Sequence, residues 1–322
     1  MINRRITPMT ESGLLAAITV IMGLIAVYLP VVGMAAAILW PLPIIVLVVR
    51  HGLRWGVMAA ITAAAIMGIL IEPMVSLRML ISFGPVSLML GYGFRQEWPA
   101  AKILLVSLLA AVLALLAGLA VVFAVTSINP FTLQLDIMRE SLEASADVYR
   151  SMGMEEAQIA QTTKEFSQAM DTVAMLLPLV ISASAIIITY MNFWISGRVL
   201  RRLGHPVPTL PPFAEWRLPS AFLYLFGFSL VGMYWGGTRE IALLYQLSLN
   251  LNMFAAFAGF LQGGALLGYL ARRAHLSGWL LGVILVFILF NGFFAQILSF
   301  VGLFDMIFDY RRRFTNRSSG QK

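Results

Sequence analysis

No cysteine occurs anywhere in the 322 residues. That excludes a disulfide framework, a thiolate zinc site, an iron–sulfur cluster and a cysteine nucleophile. Charge is scarce too: 11% of residues are charged, against 60% hydrophobic. A soluble domain carries about 25% charged residues. A water-soluble fold of this length has too little polar surface to cover so much apolar side chain. A cytosolic enzyme, a secreted domain and a disordered chain are therefore excluded. Histidine is limited to His51, His205 and His275, far apart in basic loops. They read as interfacial polar residues rather than as a ligand set. Catalytic signatures are missing as well. There is no G-x-x-x-x-G-K-[ST] loop, no H-E-x-x-H and no G-x-S-x-G elbow. The chain is read as a non-enzyme without cofactor or metal. Active transport by it would draw on an ion gradient or a partner.

What is present is a series of long apolar runs. A membrane-spanning helix needs about 20 mostly apolar residues. Runs that meet this are Ser12–Leu29, Val31–Val49, Trp55–Ile71, Pro73–Phe94, Ile103–Val125 and Thr172–Ile195. Further along come Ser220–Trp235, Ile241–Leu270 and Leu276–Phe308. The last is long, with Asn291-Gly292 near its middle, so it is one tilted span or two short ones. The expected fold is all-α: a polytopic helical membrane protein with nine or ten spans. Residues 1–196 form a six-span region and 197–219 a Pro-rich cytoplasmic loop. Residues 220–310 form a region of three or four spans, and 311–322 a basic tail.

The basic residues orient this layout. Arg4/Arg5, Arg50/Arg54, Arg95/Lys102, Arg198/Arg201/Arg202/Arg217 and Arg272/Arg273 fall on alternate loops. With the five in the tail they account for 17 of the 22 Lys+Arg. Such loops are cytoplasmic by the positive-inside rule, so the N-terminus is expected inside a bacterial plasma membrane. The partner implied by the basic balance is the lipid bilayer, not nucleic acid. Parity then matters: nine spans place the Arg-rich tail outside, and ten place it inside. Residues 126–171 hold eight acids and three bases with helical periodicity, broken at Ser151-Met152-Gly153. This segment reads as an extracytoplasmic helical hairpin, either a solvated linker or a lid or docking arm.

Three features bear on function. Small residues recur every four positions at Gly56, Ala60, Ala64 and Gly68, and at Gly259-x-x-x-Gly263 and Gly264-x-x-x-Gly268. That spacing puts them on one helix face, where backbones approach closely, within the chain or against a membrane-protein partner. Proline interrupts two spans, at Trp40-Pro41-Leu42-Pro43 and at Gly84-Pro85. Each removes backbone donors and frees carbonyls that need a partner away from lipid. Paired interruptions point to a binding cavity, or else are structural kinks. Arg78 lies about 9 Å of helix rise from Gly84. It either snorkels or presents a positive charge to an anionic or polar ligand. Trp40 and Tyr92 offer aromatic faces. The candidate ligand site is therefore Trp40, Pro41, Pro43, Arg78, Gly84 and Tyr92, between the first, second, fourth and sixth spans.

The first 95 residues resemble the substrate-binding S components of energy-coupling-factor (ECF) vitamin transporters. The likeness rests on Thr10-Glu11-Ser12-Gly13-Leu14-Leu15-Ala16-Ala17, Leu29-Pro30, Pro41-Leu42-Pro43 and Arg50-His51-Gly52-Leu53-Arg54-Trp55-Gly56. It implies that Gly13 and Ala17 on the first helix dock a coupling subunit, although Ile21 departs from that small-residue pattern. It also implies a small-molecule substrate and no ATPase of the chain's own. The whole chain looks like the YybS-like family of bacterial membrane proteins (domain of unknown function 2232). Here the supporting stretches are Arg198-Val199-Leu200-Arg201-Arg202-Leu203-Gly204, Leu210–Pro219 and Gly302-Leu303-Phe304-Asp305. Two functions compete: a small-molecule transport component, and a non-transporting scaffold that holds protein partners. A core filled by the 18 Met and 21 Phe would suit the scaffold.

Overall fold

The computed structural model describes residues 7–127 and 130–312. Those residues form helices and connecting turns, with no strand among them. They divide into two units. The first comprises residues up to Met170 together with Val180–Leu210; the second comprises Asp171–Leu179 and Pro211 onwards.

In the first unit, proline sets where several helices begin. α1 (Pro8–Tyr28), α2 (Pro30–Leu39), α5 (Pro73–Arg95) and α7 (Pro130–Ser151) all start on proline. The missing N–H costs nothing there, and the fixed φ suits the first turn. Between them lie α3 (Leu42–His51), α4 (Leu53–Leu70) and α6 (Ala100–Thr126), and after them α8 (Glu156–Met175) and α9 (Leu177–Arg202). The expected interruption at Trp40-Pro41 is present and separates α2 from α3. The chain keeps its direction there, because Trp40 (φ −52, ψ −40) and Pro41 (φ −65, ψ −24) stay helical. What is lost is hydrogen bonding rather than course, and Pro30–His51 remains one span of 22 residues.

The expected interruption at Gly84-Pro85 does not occur. α5 runs unbroken through Pro85. A proline ring normally clashes with the Cβ of the preceding residue and drives it out of the helical region. Gly84 has no Cβ, so that clash is absent. The Ser87 hydroxyl donates to the Gly84 carbonyl at 2.7 Å. The helical hairpin is as expected: α7 and α8 meet at a turn where Gly153 takes φ +80. Arg150 staples that turn, pairing with Asp147 at 2.6 Å and Glu156 at 3.1 Å.

The second unit contains α10 (Ala221–Thr238), α11 (Ala242–Arg273), α12 (Gly278–Phe290) and α13 (Gly292–Phe308). α11 is 32 residues long and forms its axis. A Cβ on Gly302 would overlap the Gly259 carbonyl, and one on Gly263 would overlap the Leu298 carbonyl. The two helices thus touch backbone to backbone. On another face, Gly264 lies under the Phe213 ring and Gly268 under Ala214. Both glycine ridges are consumed by packing within the unit.

Seven described helical segments are long and apolar enough to span a bilayer, and α12 with α13 counts as an eighth if taken as one. The expected nine or ten included α10 and both legs of that pair. α10 is only 18 residues and is diluted by Tyr224, Tyr234, Trp235 and two terminal glycines. α12 has 13 residues, about 20 Å of rise against a core of about 30 Å. The two legs bend by 110° at Asn291-Gly292, so the segment is two short helices with a turn between them rather than one tilted helix. The end of α13 returns to the end of α11. Arg217 pairs with Asp309 at 2.7 Å, and Arg272 approaches Glu215 at 3.6 Å. The end of α13 thus lies at the same end of the unit as Arg272 and Arg273.

Candidate ligand cavity

A cavity of about 300 Å³ lies within the first unit. Ala26 and Val27 of α1 and Ala37 of α2 line one side. Ala111 and Leu115 of α6, with Ala185 and Ile188 of α9, line another. The largest share comes from α5, through Val75, Arg78, Met79, Ser82, Phe83 and Val86. These recur at three- and four-residue spacing, which is one face of the helix. The walls thus come from the first, second, fourth, fifth and sixth spans.

Arg78 is the one ionisable residue in that lining. Its side chain is exposed, and it forms no ion pair among the described residues. Ser82 adds a hydroxyl, and the remaining walls are apolar. Such a pocket can hold an apolar body and hold one acidic group against the guanidinium.

The other expected site residues are elsewhere. Trp40 is completely buried and sits behind the cavity, its ring 6.0 Å from that of Phe83. Its indole N–H has no hydrogen-bond partner among the described residues. Pro41 and Pro43 are buried in the core beside it, and Gly84 is buried on α5 outside the lining. Tyr92 lies near the far end of α5, edge-on to Trp98 at 5.5 Å. Of the six candidates, only Arg78 reaches the cavity.

The small-residue ridges divide. Gly56 faces Val48 and Leu88, while Ala60 and Ala64 are buried in the core. Gly68 lies against Pro73 and Ser76, and the Ser76 hydroxyl donates to the Ala64 carbonyl. These residues pack inside the unit. Gly13 has no neighbour within 4 Å of where its Cβ would stand, and Ala17 is exposed. Their face of α1 is uncovered.

Two polar clusters escaped the sequence reading. In the first unit, the buried Glu11 carboxylate on α1 accepts from Arg50, and its other oxygen lies 2.7 Å from His51 Nε2. Arg95 donates to the Val48 and Val49 carbonyls at 3.3 and 3.2 Å and covers Gly52, whose φ is +101. In the second unit, buried Asp305 accepts from Gln262 at 2.7 Å and from the Tyr310 backbone at 3.0 Å, and it pairs with Arg311 at 3.6 Å. Gln262 in turn accepts from the Leu218 backbone, and Arg311 donates to the Ala214 carbonyl. Burial pushes the Arg311 guanidinium below its ordinary pKa, against the pull of Asp305. This network pins the Pro-rich loop to α11 and to the end of α13.

No solved structure matches the chain. The profile of the DUF2232 family, described as "Predicted membrane protein", matches residues 17–306. A relative from Bacillus subtilis (strain 168), "Uncharacterized protein YybS", is 23% identical over 306 residues, covering 94% of this chain and 97% of its own. The reach of that profile, over a polytopic helical chain, makes this protein a member of the DUF2232 family of predicted membrane proteins.

Proposed function

We propose that the protein is a small-molecule transport component whose first unit binds an amphipathic anion. The observation that carries this reading is the 300 Å³ cavity, apolar apart from Ser82 and Arg78. Its size falls at the lower end of ligand pockets, which run from about 300 to 1,000 Å³. The likeness of residues 1–95 to ECF S components supports the same reading. On it the chain has no ATPase and no enzymatic activity, and energy comes from a partner or an ion gradient. The membrane is the bacterial inner membrane, with the N-terminus cytoplasmic, as the Lys/Arg asymmetry supports. A cysteine at Ser145 should then label with an impermeant reagent in intact cells, and one at Gly204 should not. The reverse pattern inverts the topology.

The scaffold reading retains one specific observation, the uncovered Gly13/Ala17 face of α1. One experiment separates the two. The full chain is purified in mild detergent, and its extracted small molecules and co-purifying proteins are identified by mass spectrometry. Transport predicts a stoichiometric acidic small molecule. A stoichiometric protein with no small molecule would overturn it in favour of scaffolding.

A further inference from the structure

Below the cavity, α9 carries a polar stripe. Ala185 and Ile188 line the cavity; next on the same face come Thr189, Asn192 and Ser196, which are 1%, 2% and 0% exposed. Spacings of three and four keep them in register along the helix. On α6, fully buried Ser107 stands one turn from Ala111, another cavity residue. The apolar residues that alternate with them belong to one core cluster: Ile103 and Ala111 of α6, and Ala185, Phe193 and Leu200 of α9. The polar residues of both helices therefore border one core cluster, which Val86, Leu90 and Phe94 of α5 also build.

Three of these groups are orphans. The hydroxyls of Ser107, Thr189 and Ser196 have no hydrogen-bond partner among the described residues. A helical Ser or Thr ordinarily returns its proton to a carbonyl one turn back, as Thr19 does to Leu15 at 2.9 Å. An unsatisfied buried hydroxyl costs about 1–3 kcal/mol. Three along one cluster, adjoining a cavity, point to something polar that uses them. Polar residues inside a membrane span commonly mark a pathway. The stripe ends at fully buried Leu200; Arg198, Arg201 and Arg202 stand exposed at that same end of α9, on the other side of the helix.

We propose that the seam along this cluster is the route by which the anion passes between the cavity and the Arg198–Arg202 end of α9. The hydroxyls donate in turn to its acidic group, and the arginines attract it at the exit. The stacked rings of Phe94 and Phe193, 5.3 Å apart, lie on the route beside Asn192 and close it in this structure. This inference rests on the anion-binding reading of the cavity, and its test is kept separate from Arg78.

The chain is free of cysteine, so single cysteines report access directly. Ser107→Cys, Thr189→Cys and Ser196→Cys are made in the full chain, reconstituted in nanodiscs so that both faces are open. Ala63→Cys, equally buried in another cluster, is the control. The probes are anionic and cationic methanethiosulfonates. The three seam cysteines should react while Ala63→Cys does not, and the anionic reagent should be faster by about tenfold. Phe193→Ala should speed labelling at Thr189→Cys. Seam cysteines as unreactive as the control, in variants that melt like the parent, would overturn the route. A second measurement covers variants that fold poorly. Thr189→Val and Ser196→Ala should leave the melting temperature unchanged or lower it; a rise would mean a dry seam relieved of orphan hydroxyls and would also overturn it. Unreactive cysteines with a co-purified anion retained sink the route alone. Reactive cysteines without any bound anion sink the cavity reading and leave a water path.

Discussion

In the second unit, Asp305 is buried yet receives Gln262, the Tyr310 backbone and Arg311. In the first, Ser107, Thr189, Ser196 and the Trp40 indole are equally buried and receive nothing from the described residues. The second unit joins helices by backbone contact at Gly259, Gly263 and Gly302. The first leaves about 300 Å³ open among five spans. A polar network that ties distant segments together and close-packed backbones fix one arrangement. Unsatisfied groups around a cavity leave free energy to be recovered by a ligand. On the proposed function, rigidity belongs to the second unit and binding to the first.

Substitutions should divide along the same line. The largest effect is expected from Asp305→Ala, which strands Arg311 and Gln262 in a buried site. Breaking one side of such a pair costs about 3–5 kcal/mol. Thermal unfolding in detergent should show it as a large loss, and a melting temperature equal to the parent's would remove the network as a source of rigidity.

Next come Gly302→Leu and Gly263→Leu, which force α11 and α13 apart. Overpacking of this kind costs about 1–3 kcal/mol. Both should lower the melting temperature more than Leu267→Ala does. Parent-like melting of both would mean that the ridges do not bear on another helix.

A smaller effect is expected from Glu11→Gln in the first unit. The amide keeps the shape of the carboxylate but loses the ion pair to half-exposed Arg50. A loss of about 1.5 kcal/mol, the low end for a hydrogen bond to a charged group, fits a pair whose cation is half-exposed. A loss as large as that of Asp305→Ala would erase the contrast between the units.

The sequence announced those features that depend on neighbours in the chain. The turn at Gly153 and the break at Asn291-Gly292 are set by local residues, and both are found. The glycine ridges of α11 follow from spacing alone. The break expected at Gly84-Pro85 failed because the residue before the proline lacks the Cβ that makes the clash. Features built from distant segments were not legible. Glu11 meets Arg50 and His51 across 39 and 40 positions, and Gln262 meets Asp305 across 43. The cavity lining was hidden for a related reason. Periodicity shows that Val75, Arg78, Ser82 and Val86 share a face of α5, but only the packing of α1, α6 and α9 turns that face into a wall. Trp40 and Tyr92 were chosen for chemistry and lie where packing, not ligand, occupies their rings.

The most direct test of the central claim is native mass spectrometry of the full chain beside its Arg78→Gln variant, both purified in the same mild detergent. Arg78 packs against no acidic partner, so its replacement should leave melting within about 0.5 kcal/mol of the parent. The parent should carry one acidic small molecule per chain, and Arg78→Gln should have lost it. An identical adduct on both proteins, or none on either, would contradict a cavity that binds an anion through Arg78.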